Sequence, residues 1–84
     1  MYLVKLTDEV REQLGALPFT ALAAFAEVMV TLEVAPWGGD PYSRERPEGN
    51  IRTTAFGEHS EGLIVYLIVE HAREVGVLEL MWVG

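Results

Sequence analysis

The sequence has no cysteine among its 84 residues and only two histidines, His59 and His71. Disulfide bonds and thiolate metal sites are therefore excluded, and two histidines without a spacing motif do not make a structural zinc site. We expect no metal ion and no other cofactor. A chain this short buries only about 60% of the surface that it exposes when unfolded. Its stability must therefore come from a well-filled core or from a partner chain.

Basic side chains are scarce, because six lysines and arginines stand against thirteen acidic residues and the formal net charge is −7. Nucleic-acid binding depends largely on cations that neutralise phosphates, so this chain would have to concentrate its few cations to bind RNA. The first nine residues show no basic segment followed by an apolar stretch, and the longest apolar run, residues 63–69, is too short to span a membrane. We expect a cytoplasmic protein with one domain over residues 1–84.

The hydrophobic pattern predicts two helices after a first strand. Residues 2–6 alternate in polarity as a strand does, and Thr7 is suited to cap a helix over residues 8–17. Pro18 separates this helix from a second one that runs to residue 35. The segment 36–50 is polar and rich in proline and glycine, which predicts a loop.

Three strands follow in the last third, at residues 51–56, 63–70 and 75–83. The second of these is an almost unbroken apolar run, which is typical of a central strand. The order β-α-α-β-β-β predicts an α+β fold, in which a four-stranded, mainly antiparallel sheet has both helices packed on one face. The predicted core consists of Val4, Leu6, Leu14, Leu22, Phe25, Met29, Leu32, Val65, Leu67 and Leu78.

The second predicted helix is apolar around most of its circumference, since Ala23, Ala24 and Val30 have few polar neighbours in the sequence. Helices of this kind are usually covered on more than one side. Either the sheet and the first helix enclose it, or its outer face, with these three residues, binds a second protein.

Chemistry-bearing motifs are few, and there is no phosphate-binding glycine loop, nucleophile elbow or zinc helix motif. Arg44, Arg46 and Arg52 hold half of the basic side chains within nine positions. Such a cluster can bind an RNA phosphate or stabilise charge that develops on it. Arg52 is the best catalytic candidate because a strand holds it more rigidly than a loop holds the other two. The alternative is that Glu45 and Glu48 neutralise the arginines in salt bridges.

Two further groups of side chains have a functional and a structural interpretation. Glu58, His59 and Glu61 share one turn and form either an acid/base group or a solvated hairpin turn. Tyr66 and Trp82 are candidates for stacking on an unpaired RNA base. The alternative for both aromatic residues is burial in the core.

Three segments of the chain resemble the RelE/ParE superfamily of bacterial toxin–antitoxin toxins. Residues 2–10 are similar to the opening strand and helix start of those proteins, residues 50–56 to their second strand, and residues 62–66 with 70–78 to their third and fourth strands. In that superfamily the RelE branch cleaves mRNA in the ribosome with basic and aromatic side chains on the concave face of the sheet. The ParE branch acts on DNA gyrase, and an antitoxin wraps both kinds of toxin.

Carried over by position, Arg52 matches a basic residue of the second strand and Tyr66 a tyrosine of the third-strand motif. Leu63, Ile64 and Thr54 stand where the family often has basic residues. The resemblance implies either an mRNA endoribonuclease with a degenerate active site, in which Arg44 and Arg46 assist Arg52, or a non-catalytic protein-binding domain on the same scaffold. It implies an antitoxin-like partner, with RNA on the ribosome as a target, and a homodimer is the other partner that we expect.

Overall fold

The computed structural model describes all 84 residues. The elements, in chain order, are β1 (Leu3–Leu6), α1 (Asp8–Leu14), α2 (Phe19–Val34), β2 (Asp40–Pro41), β3 (Ile51–Phe56), β4 (Gly62–Val69) and β5 (Glu74–Trp82). Two short 3-10 turns, Pro36–Gly38 and Glu70–Ala72, follow α2 and β4. None of the helices combines the length and the apolarity that a membrane crossing requires.

Local sequence chemistry explains where the helices begin and end. The Thr7 hydroxyl accepts a hydrogen bond from the backbone N–H of Val10 at 3.2 Å and so caps α1. Asp8 and Glu9 follow in the first turn, where the positive end of the helix dipole favours carboxylates. Pro18 stands in an extended conformation immediately before α2, and Pro36 comes two residues after its end. Proline lacks the N–H that continuation of a helix requires, which limits α2 on its C-terminal side.

The sheet has five strands in the order β1-β5-β4-β3-β2. The β1 strand runs parallel to β5, and every other pair is antiparallel. The predicted α+β class and the predicted order of helices and strands are therefore confirmed. The prediction of a loop over the whole of residues 36–50 is wrong, because β2 pairs with β3 through Asp40↔Thr53 and Pro41↔Arg52 and adds a fifth strand.

Both helices lie on one face of the sheet, as the alternation of β4 shows. Ile64, Tyr66 and Ile68 are 0–1% exposed and belong to the main hydrophobic cluster, which includes Phe25 of α2. Successive side chains of a strand point to opposite faces, so Leu63, Val65, Leu67 and Val69 point away from the helices. The cluster consists of Tyr2, Val10, Phe25, Leu32, Phe56, Ile64, Tyr66, Ile68, Val75, Val77 and Leu80.

Most of the predicted core is found where it was expected. Phe25, Leu32 and Val65 are buried, although Val65 lies on the face away from the helices and outside the main cluster. Four other predicted residues are partly buried and pack against the cluster: Val4, Leu6, Leu14 and Met29. Leu67 is also partly buried, on the face away from the helices.

The core prediction is wrong for Leu22 and Leu78, which are 37% and 38% exposed. Leu22 lies three residues before the buried Phe25, at the margin between the buried and the exposed sides of α2. In β5 the pairing register shifts, so that Glu79 stands opposite Val65 while Val77 stands opposite Tyr66. Leu78 is the extra residue of this bulge, and a bulge resets the alternation of a strand in a way that a regular period does not predict.

Candidate functional site

The face of the sheet away from the helices, which we call the open face, is where the resemblance predicts catalytic side chains. Its strand residues are mainly apolar, because the pairing register and the alternation place these side chains there: Leu3, Ile51, Leu63, Val65, Leu67, Val69 and Met81. Lys5 is the one basic residue among the strand residues of this face. Its amine lies 2.9 Å from the Glu74 carboxylate, so its charge is paired. Glu79 adds a further negative charge.

Arg52 lies on the opposite face, beneath the segment that connects α2 to β3, and its side chain is only 9% exposed. The guanidinium donates hydrogen bonds to the carbonyl oxygens of Gly39 at 3.0 Å, Pro47 at 3.2 Å and Gly49 at 2.9 Å. It also lies 5.5 Å from the centre of the Trp37 ring. These contacts hold the connecting segment against β3. They direct the guanidinium to the protein's own backbone, which does not favour the predicted catalytic role of Arg52.

Arg44 and Arg46 have a different environment from Arg52, so the three arginines do not form one cationic site. Both are exposed, and neither forms an ion pair with Glu45 or Glu48. Arg46 borders a hollow of about 140 Å³ that Tyr42, Ser43, Gly49, Asn50 and Ile51 also line. The other cations are engaged: Arg11 pairs with Asp8, and Arg73 pairs with Glu70.

The two predicted stacking residues also differ in their surroundings. Tyr66 is 0% exposed, and its hydroxyl donates a hydrogen bond to the carbonyl oxygen of Pro36 at 2.6 Å. Burial raises the pKa of this hydroxyl. A ring enclosed in this way presents no face to an RNA base, so the predicted stacking role does not fit Tyr66. Trp82 is partly buried, with its ring 5.7 Å from that of Phe56, and borders an open cleft.

A polar cluster that the sequence did not reveal joins Tyr2, Trp37, Glu70 and Arg73. One Glu70 carboxylate oxygen accepts hydrogen bonds from the Tyr2 hydroxyl at 2.6 Å and from the Trp37 indole N–H at 2.7 Å. Arg73 donates to the other oxygen at 2.9 Å, and its guanidinium lies 4.1 Å from the centre of the Tyr2 ring. The hydrogen bonds from Tyr2, then Trp37, then Arg73, lower the pKa of Glu70 to about 2.

This cluster ties the start of the chain to the turn after α2 and to the β4–β5 hairpin. The Glu70 carboxylate is held in the charged form, which suits a structural ion pair better than proton transfer near neutral pH. Tyr2 and Glu70 are 68 positions apart in sequence, so no local pattern could reveal their contact. The one contact of the cluster that the sequence could have indicated is the pair Glu70 and Arg73, because residues three apart in a helical turn are neighbours.

The turn between β3 and β4 holds the predicted acid/base group. Glu61 accepts a hydrogen bond from the backbone N–H of His59 at 2.7 Å, and its carboxylate is 3.8 Å from the His59 ring nitrogen Nδ1. Hydrogen bonds from its own backbone N–H and from that of His59 lower the pKa of Glu61. A carboxylate that is more acidic than usual is a weaker general base at neutral pH, so the solvated-turn interpretation fits better.

A cleft of about 570 Å³ separates α2 from the turn between β3 and β4. We call it the acidic cleft, because Glu27, Glu58 and Glu61 are its charged residues and no lysine or arginine lines it. The remaining lining residues are Thr20, Ala23, Ala24, Val28, Ala55, Phe56, Gly57 and Trp82. Two of the three predicted partner-binding residues, Ala23 and Ala24, therefore line this cleft. The third, Val30, is 59% exposed on the outer side of α2.

No group of three or more histidine, cysteine, aspartate or glutamate side chains has an arrangement that could hold a metal ion. The buried polar side-chain atoms all have hydrogen-bond partners. The polar groups that stand free for binding are therefore at the surface, and they include Glu27 and Glu58 of the acidic cleft and the guanidinium groups of Arg44 and Arg46.

Comparison with solved structures identifies the fold. The isolated E. coli RelE toxin is similar to this chain with a TM-score of 0.79 at 12% identity, over 100% of this chain and 86% of that chain. A double arginine-to-alanine mutant of E. coli RelE in the free state gives 0.76 at 14% identity, over 96% and 82%. The archaeal RelE–RelB complex from Pyrococcus horikoshii OT3 gives 0.69 at 19% identity, over 99% and 96%.

No protein-family model matches the sequence, and no curated protein matches it. The likeness to the three structures rests on the backbone, since identities of 12–19% are low. It shows that the chain has the RelE fold, as the resemblance in the sequence predicted.

Proposed function

We propose that this chain is a RelE-like component of a toxin–antitoxin pair and acts in the cytoplasm. The observation that carries the proposal is that the RelE fold extends over the whole chain, from β1 to β5. One of the solved structures with this fold is a complex of RelE with RelB. An antitoxin-like protein is accordingly the partner that we propose for this chain.

Exposed apolar side chains on α2 support the proposal of a protein partner. Phe19 is 83% exposed, Val30 59% and Val34 67%. Scattered apolar residues are normal on a protein surface, whereas several along one helix mark an interaction site. α2 also has no lysine or arginine that could shield these side chains from water.

The charge distribution favours a second candidate for the activity, a non-catalytic protein-binding domain on the RelE scaffold. Cleavage of RNA at a 2′-hydroxyl builds negative charge on the phosphate, and a fixed cation stabilises that charge. Lys5 is paired with Glu74, and Arg52 is bound to backbone carbonyls. Only Arg44 and Arg46 have guanidinium groups without a hydrogen-bond or ion-pair partner in the protein.

Induced expression in a bacterial host tests the proposal. The natural chain is expressed alone and together with the product of a small reading frame that adjoins its gene, where the genome has one (the adjoining product). Growth, mRNA cleavage by primer extension and complex formation by co-purification are measured. Arrest with mRNA cleavage, relieved by the co-expressed product, supports the endoribonuclease. Arrest without cleavage indicates another target, such as gyrase.

Absence of arrest together with a stable complex supports the non-catalytic domain. If the natural chain neither arrests growth nor binds the adjoining product, the toxin–antitoxin proposal is wrong. The informative active-site variant is the exposed pair Arg44→Ala/Arg46→Ala, with Glu45→Ala/Glu48→Ala as the matched control in the same segment. Arg52→Ala is less informative, since its buried side chain supports the fold.

A further inference from the structure

One side of α2 carries an apolar stripe that nothing in the fold covers. Phe19, Ala23, Ala26, Val30 and Val34, which we call the outer stripe, are all exposed. Their spacing of four, three, four and four residues places them on one side of the helix, as in the seam of a coiled coil. Leu22, 37% exposed, widens the stripe. The stripe therefore runs along the whole 16-residue length of α2, about 24 Å at 1.5 Å per residue.

The acidic cleft borders the outer stripe, and Ala23 belongs to both. The carboxylates of Glu27 and Glu58 form no ion pair. Glu61 is oriented by the backbone N–H of His59. Beneath these carboxylates lie the aromatic rings of Phe56 and Trp82. The cleft thus combines an apolar floor with the negative charges of Glu27 and Glu58, which no cation of the protein pairs with.

We infer that the outer stripe and the acidic cleft together bind one amphipathic helix of a partner protein, with its apolar face on the stripe and lysine or arginine side chains of its flank in the cleft. The small side chains of Ala23 and Ala26 allow a helix to approach closely, as ridges-into-grooves packing requires. The hydrocarbon stem of a lysine or arginine suits the aromatic floor, and its charged end suits the three carboxylates.

Charge complementarity selects such a partner over a second copy of this chain. Two copies would each carry a net charge of −7. Their association through α2 would bring Glu27 and Glu33 of one copy close to those of the other, and like charges at an interface are unfavourable. A helix with a basic flank removes this repulsion. The inference rests on the proposed function, because the antitoxin-like partner of the pair would supply the helix.

A designed peptide tests the site without knowledge of the partner. The probe is a synthetic 21-residue helix with leucine at the a and d positions of each heptad and lysine along one flank, and the matched control has glutamate along that flank. Binding is measured by titration calorimetry, and nuclear magnetic resonance shift mapping identifies the amides that move. We expect the lysine peptide to shift α2 and the β3–β4 turn, and the glutamate peptide to bind far more weakly.

Two charge variants distinguish binding of the lysine peptide by the cleft carboxylates from its attraction to the overall negative charge of the protein. Glu27→Gln/Glu58→Gln removes two carboxylates from the cleft, whereas Glu45→Gln/Glu48→Gln makes the same change of net charge in the exposed segment between β2 and β3. Exposed ion pairs contribute modestly, so each cleft carboxylate should account for about 2- to 5-fold in affinity. We expect the cleft variant to bind the lysine peptide about 4- to 25-fold more weakly. The segment variant should bind nearly as the natural chain does.

Equal weakening in both variants, or equal binding of the two peptides, would overturn the inference. So would self-association in sedimentation that Val30→Lys abolishes, because a second copy would then occupy the stripe. If the adjoining product binds the natural chain and the cleft variant equally tightly, this inference fails while the toxin–antitoxin proposal stands. If the lysine peptide shows the expected pattern and the adjoining product does not bind, the site stands and the toxin–antitoxin proposal fails.

Discussion

Replacing Arg52 by alanine removes the guanidinium that joins the connecting segment to the sheet. In the natural chain it donates to the carbonyl oxygens of Gly39, Pro47 and Gly49 at 2.9–3.2 Å. The alanine variant leaves these acceptors to be hydrated and also removes the contact with the Trp37 ring. A hydrogen bond to a charged group contributes about 1.5–3 kcal/mol, and the loss of three such bonds to one group is not additive.

We therefore expect Arg52→Ala to reduce the free energy of unfolding by about 3 kcal/mol. Domains of this size are stable by about 5–15 kcal/mol in total. The midpoint of thermal unfolding should then fall by about 12–24 °C, at about 4–8 °C for each kcal/mol. Loss of growth arrest in this variant would therefore reflect loss of structure as readily as loss of catalysis.

Urea unfolding followed by tryptophan fluorescence measures the change, and hydrogen exchange of residues 40–50 locates it. Arg46→Ala is the matched control, because its exposed guanidinium makes no contact of this kind and should leave the stability within about 0.5 kcal/mol. An Arg52→Ala variant that unfolds at the same urea concentration as the natural chain would refute the structural role. Arg52 would then again be the leading candidate for contact with RNA.

Two further predictions concern the core and the dependence of stability on pH. Phe25 is 5% exposed and packed edge-on to Phe56, so Phe25→Ala should reduce the free energy of unfolding by about 3–5 kcal/mol, whereas Leu22→Ala, at a side chain that is 37% exposed, should cost far less. The hydrogen bonds from Tyr2, Trp37 and Arg73 hold the pKa of Glu70 at about 2 in the folded chain, below its ordinary value of 4.5. Its contribution to stability is therefore present above about pH 4.5 and is lost as the pH falls towards 2. Urea midpoints measured from pH 7 to pH 2 should show a steeper acid loss for the natural chain than for Glu70→Gln.

One result would contradict the prediction about the core, and another the prediction about pH. Equal costs for Phe25→Ala and Leu22→Ala would mean that α2 packs in another orientation. A Glu70→Gln variant with the same acid profile as the natural chain would mean that the cluster with Tyr2 and Arg73 does not stabilise the fold. Glu61, whose pKa is also lowered, remains in both chains and cancels in this comparison.

The elements that the sequence predicted correctly are those that local chemistry specifies. The hydroxyl of Thr7, the acidic first turn after it and Pro18 mark the helix boundaries, and each acts on residues only a few positions away. The strand β4 follows from its almost unbroken apolar run, and β3 and β5 follow from the strand-type segments on either side of it. The composition of α2 showed that it is apolar around most of its circumference, but it left open whether the fold encloses that surface or leaves its outer side exposed.

Tertiary structure decided the functional character of each side chain. Both faces of β4 are apolar, so alternation could not tell that Tyr66 points into the core and Val65 to the open face. The parallel pairing of β1 with β5 and the short β2 strand arise from contacts between distant segments. Arg52 is enclosed because β2 and its neighbours fold over it. Long-range packing sets which charges are buried and which stay free, and a one-dimensional pattern does not contain that information.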